Sequence, residues 1–181
     1  MVLCERFLHG LPGQRVGLSL GGGGTGKAYC RDGRCITEQD DSVIRSNLIA
    51  SCSDDGIYLN RAARSKIFHN TLVDTGGITV RFPESSADVE GNLVDGAIRS
   101  RDEGLLRVAD NKQTAIAQLY FGLHPVRDLF LAPGVLDFSW KDSSPQRASV
   151  SSMAVGLCGK PAVTLSRYGA FEDFSSCLKF K

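Results

Sequence analysis

A right-handed parallel β-helix, an all-β solenoid of about four to five coils with an irregular C-terminal cap, is the fold class this 181-residue sequence predicts, and three observations predict it. An apolar β-former stands three residues before an Asn four times over: Ile44 and Asn47, Ile67 and Asn70, Val89 and Asn92, Val108 and Asn111. The steps between those Asn are 23, 22 and 19 residues, the spacing of a stacked solenoid. A second phrase recurs between them: Gly56-Ile57-Tyr58-Leu59-Asn60, Gly77-Ile78-Thr79-Val80-Arg81 and, more loosely, Gly96-Ala97-Ile98-Arg99-Ser100-Arg101. These segments are rich in Val, Ile, Thr and Gly, and too short for the helical periodicity that two-helix repeats require. An Asn amide carries donors and acceptors, so at a bend it can bond backbone groups and its own copies up the stack.

In chain order, Met1-Val2-Leu3-Cys4-Glu5-Arg6 has neither a basic start nor an apolar run and is no signal peptide. Arg15-Val16-Gly17-Leu18-Ser19-Leu20-Gly21 repeats the Gly-Ile phrase, but 39 residues before its next copy, which predicts an insertion at 22–38. Gly21 to Lys27 in that loop matches a phosphate-cradling P-loop until Ala28 stands where Ser or Thr is needed. Turn residues follow instead of a helix, so the stretch reads as a surface loop. Coils are expected across 1–138. Lys112 to Gly122 reads as a short helix or a last irregular coil. A linker and capping tail are expected across 139–181, with the polar stretch Ser139 to Met153 as the linker and the remainder closing the open end.

Composition narrows the function. A formal net charge of +1 lacks the basic excess of a general nucleic-acid binder, so no nucleic-acid partner is expected, and no membrane span is present at either end. Six cysteines suit three disulfides of an exported protein, although reduced thiols stay compatible with the count. Cys30 and Cys35 flank a tight turn and Cys158 and Cys177 bracket the tail, which leaves Cys4 with Cys52. His9, His69 and His124 are scattered and no metal-ligand spacing occurs, so neither a metal nor another cofactor is expected.

The Asn phrase, the Gly-Ile phrase, Phe130 to Phe138, and the pair Leu157-Cys158-Gly159-Lys160-Pro161 and Tyr168-Gly169-Ala170-Phe171-Glu172 together resemble secreted carbohydrate-active β-helix proteins. Pectate lyases and the alginate lyase and chondroitinase B family are among them. The resemblance covers Arg15 to Glu172. It implies a secreted or periplasmic protein, and, since such proteins have earlier coils and an N-terminal cap, that this chain is a C-terminal portion. Few coils without an N-cap predict marginal stability or end-to-end self-association.

Alternation along strands makes Ile57, Leu59, Ile78, Val80 and Ile98 face inward. Two outward columns follow on one sheet: Ser19, Tyr58, Thr79 and Arg99, and Gly21, Asn60, Arg81 and Arg101. Arg81 and Arg101 on adjacent coils need Glu84, Asp102, Glu103 or a bound anion to offset their repulsion. A surface charge network is one outcome. The other is a groove for an acidic polysaccharide, with guanidinium groups on uronate carboxylates, Tyr58 against a sugar ring, and Asn60 and Thr79 adding hydrogen bonds. The resemblance gives Arg81 the family's catalytic Arg, since Thr79-Val80-Arg81-Phe82 looks like its Thr-Leu-Arg-His strand. The family's lysine, one coil earlier, is replaced by Asn60. Asp54, Asp55 and Asp102 at the same sheet edge are the acids a hydrolase would use. Two functions are therefore expected to compete: a polysaccharide lyase-like enzyme, and a non-catalytic glycan-binding, adhesive or structural module.

Overall fold

A computed structural model describes residues 1–4, 16–24, 26–30, 32–123, 125–141, 157, 167–174 and 177. The chain enters through β1 (Val2–Leu3) and β2 (Leu18–Gly21), and after the insertion through β3 (Gln39–Asp40), β4 (Val43–Arg45) and β5 (Leu48–Ala50). It then runs through β6 (Ile57–Asn60), β7 (Ala62–Ala63), β8 (Ser65–Phe68) and β9 (Thr71–Val73), through β10 (Gly77–Arg81), β11 (Ser86–Glu90) and β12 (Leu93–Val94), and through β13 (Ala97–Arg101), β14 (Leu105–Ala109) and β15 (Lys112–Gln113). Like strands stack in parallel. The first sheet has the order β13-β10-β6-β2, the second β14-β11-β8-β4 and the third β1-β5-β9-β12-β15. This is a parallel β-solenoid. Its regular part comprises about three turns, those beginning at β6, β10 and β13, fewer than the four to five expected, because the insertion opens the turn that begins at β2.

The corners between sheets share a device: a residue in the left-handed region bends the chain, joined after β13 by a second, Glu103. After the first sheet these are Gly21, Arg61, Phe82 and Asp102, and before each ladder Asn they are Ser46, His69, Gly91 and Asp110, all with φ between 47° and 71°. Left-handed φ costs an L-residue about 1–2 kcal/mol, so the stack must supply the offsetting contacts. The Asn ladder supplies them. Asn70 Nδ2 donates to the Ile44 and Phe68 carbonyls and to Asn92 Oδ1, while Asn70 Oδ1 accepts from the backbone N–H and the side-chain amide of Asn47. Asn92 and Asn111 repeat the arrangement one coil on.

Inward side chains fill the coil. Ile57, Leu59, Ile78, Val80, Ile67, Ile49 and Leu72 are at most 0 % exposed, as alternation predicts. Ile98, in the last coil, is only partly buried. Val108, its neighbour at the end of the second sheet, is 52 % exposed.

The outer face of the third sheet is apolar too. Leu48, Ala50, Val73 and Leu93 pack there against Val126, Phe130, Phe138, Ala170, Phe171 and Phe174. Phe130 and Phe138 belong to an antiparallel hairpin of β16 (Phe130–Ala132) and β17 (Asp137–Trp140), so the boundary expected at 138 falls inside β17. The described part of the tail thus lies along a side wall of the solenoid, with the Ala170 N–H donating to Thr71 Oγ1 at 2.9 Å. A short helix, α1 (Ile116–Tyr120), joins the coils to this roof. Most of the expected linker, from residue 142 onward, lies outside the described residues.

Cys4 pairs with Cys52 and Cys30 with Cys35. Cys177 is disulfide-bonded; Cys158, its expected partner, lies outside the described residues, as do His9 and His124. Among the described residues no helix is long and apolar enough to cross a membrane.

Candidate functional site

The strands pair in the register that the two columns require, but Thr79, expected at the surface to bond a sugar, is 0 % exposed and accepts from Arg99 instead. Ser19 lies beside Tyr58, Tyr58 beside Thr79 and Thr79 beside Arg99, while Gly21, Asn60, Arg81 and Arg101 line up in the second column. Neighbouring members are one strand spacing apart, about 4.8 Å. Gly21 suits its corner, because a Cβ there would lie 1.9 Å from the Asn60 carbonyl oxygen.

The columns are cross-linked by ion pairs. The Arg81 Nε donates to the Asp102 carboxylate, and Arg81 Nη1 donates to the Tyr58 hydroxyl at 3.3 Å. The hydroxyl and then the carboxylate hold the guanidinium more firmly protonated than usual, and the group also lies 4.5 Å from the centroid of the Phe82 ring. Asp102 is therefore the acid that offsets Arg81, one of the three nominated from sequence. Both partners are partly exposed, so solvent screens the pair and it adds little to stability.

A second pair reaches further. Arg99 Nε donates to Thr79 Oγ1 at 2.9 Å, and Arg99 Nη2 donates to Asp55 Oδ1 at 3.0 Å, across 44 residues of sequence. Asp55 is 2 % exposed and Thr79 0 %. Burial pushes the Asp55 carboxyl above the ordinary value of 3.8, against the opposing pull of Thr79 and Arg99. Sequence reasoning nominated Asp55 only as an edge acid. Its role under Arg99 escaped because two coils of chain separate the partners; the surviving signal was an acid placed just before a Gly-Ile strand.

Arg101 is exposed and, among the described residues, makes no ion pair. Tyr58 and Asn60 are half-buried, and Asn60 Oδ1 is a shielded acceptor with no hydrogen-bond donor. Asn60 pairs in register with Arg81, so no lysine stands beside Arg81 on the preceding coil. Lys66 is on the outer face of the second sheet. Asp55 and Asp102, two of the acids suggested for hydrolysis, are each engaged by an arginine. Among the described residues the wall can thus offer one cation without an ion pair, two tethered ones and the half-buried Tyr58 ring.

A family model described as "NosD: Periplasmic copper-binding protein (NosD)" matches residues 28–146, well over half of the chain. The chain belongs to the NosD family. No curated protein and no solved structure is significantly similar to it. The span matched to NosD opens in the insertion loop, takes in the whole wall from Tyr58 to Asp102 and runs past β17. It thus contains every residue of the two columns except Ser19 and Gly21.

Proposed function

We propose that this NosD-family chain is a periplasmic β-helix binding protein that holds an acidic polysaccharide on the outer wall of its first sheet without cleaving it. The observation that carries the proposal is the division of labour among the arginines. Arg81 and Arg99 are tied to Asp102 and Asp55, which fixes them in place, while Arg101 is left with its guanidinium in solvent. A guanidinium fork matches a uronate carboxylate. Tyr58, two coils away on β6, supplies an aromatic ring beside this cation. Cleavage by a lyase needs a base beside the neutralised carboxylate, and Asn60 cannot serve as one.

The periplasm comes from the family's description and agrees with the disulfides, which persist in oxidising compartments. Copper comes from that description alone. Copper favours thiolate, thioether or imidazole ligands. Among the described residues no three His, Cys, Asp or Glu are grouped so as to hold a metal ion, and Cys4, Cys52, Cys30 and Cys35 are all oxidised. The described donor set, as it stands, does not fit copper.

End-to-end stacking is not part of the proposal. β1 lies one level before β2 and β4, so a second copy paired onto β13 and β14 would bring its β1 to the level that β15 already fills.

The test is retention of the chain on immobilised alginate, polygalacturonate and chondroitin, with ultraviolet detection of unsaturated uronate ends. The expected result is salt-sensitive retention on at least one polymer, lost in Arg101→Ala, with no product. Release of unsaturated product would replace the binder with a lyase-like enzyme, and equal retention of wild type and Arg101→Ala would remove the wall from the function.

A further inference from the structure

The outer face of the second sheet carries a groove that the first sheet's wall does not share. Its sides are two neighbouring columns of outward residues: Arg64, Ser86 and Leu105 in one, and Lys66, Asp88 and Arg107 in the other. The groove between them has a volume of about 660 Å³, the size of a small-ligand site.

The two columns differ in how their charges are used. Arg64 donates from Nε and Nη2 to the two carboxylate oxygens of Asp41, both at 2.9 Å, so that guanidinium is already committed. Lys66, by contrast, makes no ion pair among the described residues. Arg107 has a side chain 89 % exposed, and its Nη1 lies 3.9 Å from Asp88, too far for a hydrogen bond. Asp88, itself half exposed, keeps its acceptors open. The second column thus reads cation, carboxylate, cation on three successive coils. With strands about 4.8 Å apart, the backbones of Lys66 and Arg107 stand about 10 Å from each other, with Asp88 halfway.

A complementary ligand presents acid, donor, acid at the same intervals. An extended, equatorially linked glycan advances by roughly one strand spacing per ring, and every second ring turns the same side to a surface. A carboxylate on every second ring meets Lys66 and Arg107, while the hydroxyl or acetamido N–H of the ring between donates to Asp88. A carboxylate on every ring would set one against Asp88, and that like-charge contact selects against such polymers. Leu105, 64 % exposed, gives a ring an apolar edge to lie on.

We propose that this groove binds peptide-free cell-wall glycan, the alternating polymer of N-acetylglucosamine and N-acetylmuramic acid, laid along the solenoid axis. The lactyl carboxylates of successive muramic acid rings pair with Lys66 and Arg107, and the glucosamine between them donates to Asp88. Strands that still carry their peptides bind more weakly, because each lactyl carboxyl is then an uncharged amide. The choice of this polymer among alternating glycans rests on the periplasmic reading above, whereas the charge order does not.

The experiment titrates the full chain and its Arg101→Ala variant calorimetrically, at low salt, with peptide-free wall oligosaccharides, chitin oligosaccharides of equal length, and oligogalacturonate. Both chains are expected to bind the wall oligosaccharide alike, and the chitin oligosaccharide about tenfold more weakly or less. Lys66→Ala/Arg107→Ala should weaken wall-oligosaccharide binding about tenfold or more, with unchanged circular dichroism. Asp88→Asn, made in the Arg101→Ala chain, should gain affinity for oligogalacturonate, a gain that a damaged groove would not give. No binding of the wall oligosaccharide, equal binding of chitin, or equal binding by wild type and Lys66→Ala/Arg107→Ala would each overturn the proposal. A loss seen in Arg101→Ala instead would move the strand to the first wall and overturn it too. Retention on uronate polymers through Arg101 is read separately, so either wall's reading can fail alone.

Discussion

On the third sheet the outward residues are Leu48, Ala50, Val73 and Leu93, and an aromatic roof from the C-terminal segment buries them; on the first sheet they are Tyr58, Asn60, Arg81, Arg99 and Arg101, and they stay at the surface. The same coils build both walls, with the same strand spacing and the same kind of left-handed corner residues. Backbone geometry therefore does not decide which wall is bare. The outward alternate positions do: apolar ones recruit a covering layer because burying them is favourable, whereas guanidinium groups would lose hydration under such a roof. In place of a roof, the first sheet acquires a polar network in which Asp55 and Asp102 hold two of its arginines.

The largest effect is expected on the covered wall. Phe130 is fully buried among Phe138, Trp140 and Phe171, with ring centroids 5.5, 4.7 and 6.0 Å away. Phe130→Ala should lower unfolding stability by about 3–5 kcal/mol and raise proteolysis of the tail. Urea denaturation with limited proteolysis reads both, and a loss under about 1 kcal/mol would mean the roof is dispensable.

Next comes the ladder, which both walls share. Asn70→Ala would leave the Asn47 N–H without its acceptor and remove the side-chain bond to the Ile44 carbonyl. A group so orphaned costs about 1–3 kcal/mol when buried. The expected outcome is a cooperative loss of that order across all coils, with reduced hydrogen-exchange protection around Asn47 and Asn92.

On the bare wall the effect depends on pH. Burial raises the Asp55 carboxyl above 3.8, so the folded chain holds that proton more tightly than the unfolded one. The stability this contributes is present below the unfolded value and is lost as pH rises through the raised folded value. The difference between the stability curves of wild type and Asp55→Asn should therefore shift in favour of the variant as pH climbs from about 3.8. A pH-independent difference would show that the carboxyl does not titrate in that window.

Arg101→Ala should change least in stability, within about 0.5 kcal/mol by thermal or urea unfolding, because the residue is exposed and makes no ion pair among the described residues. It is the same variant expected to abolish glycan retention. A change confined to retention would sharpen the contrast between a wall that supports the fold and one that meets a ligand.

Much of this molecule was decided by the sequence alone. The four Asn phrases and the Gly-Ile strands set the coil period, and a period-two strand with one apolar set has only one register that buries it. The two columns and the inward Ile and Val residues follow from that. The coil count did not, because the insertion at 22–38 hides the turn that begins at β2. Tertiary structure alone decided that Asp55 lies beneath Arg99 and that Phe130, Phe138 and Phe171 cover the third sheet rather than another face. These are meetings between residues tens of positions apart. They depend on how the finished stack presents its walls, and a repeat encodes its nearest neighbours but not what a non-repeating segment will find when it folds back.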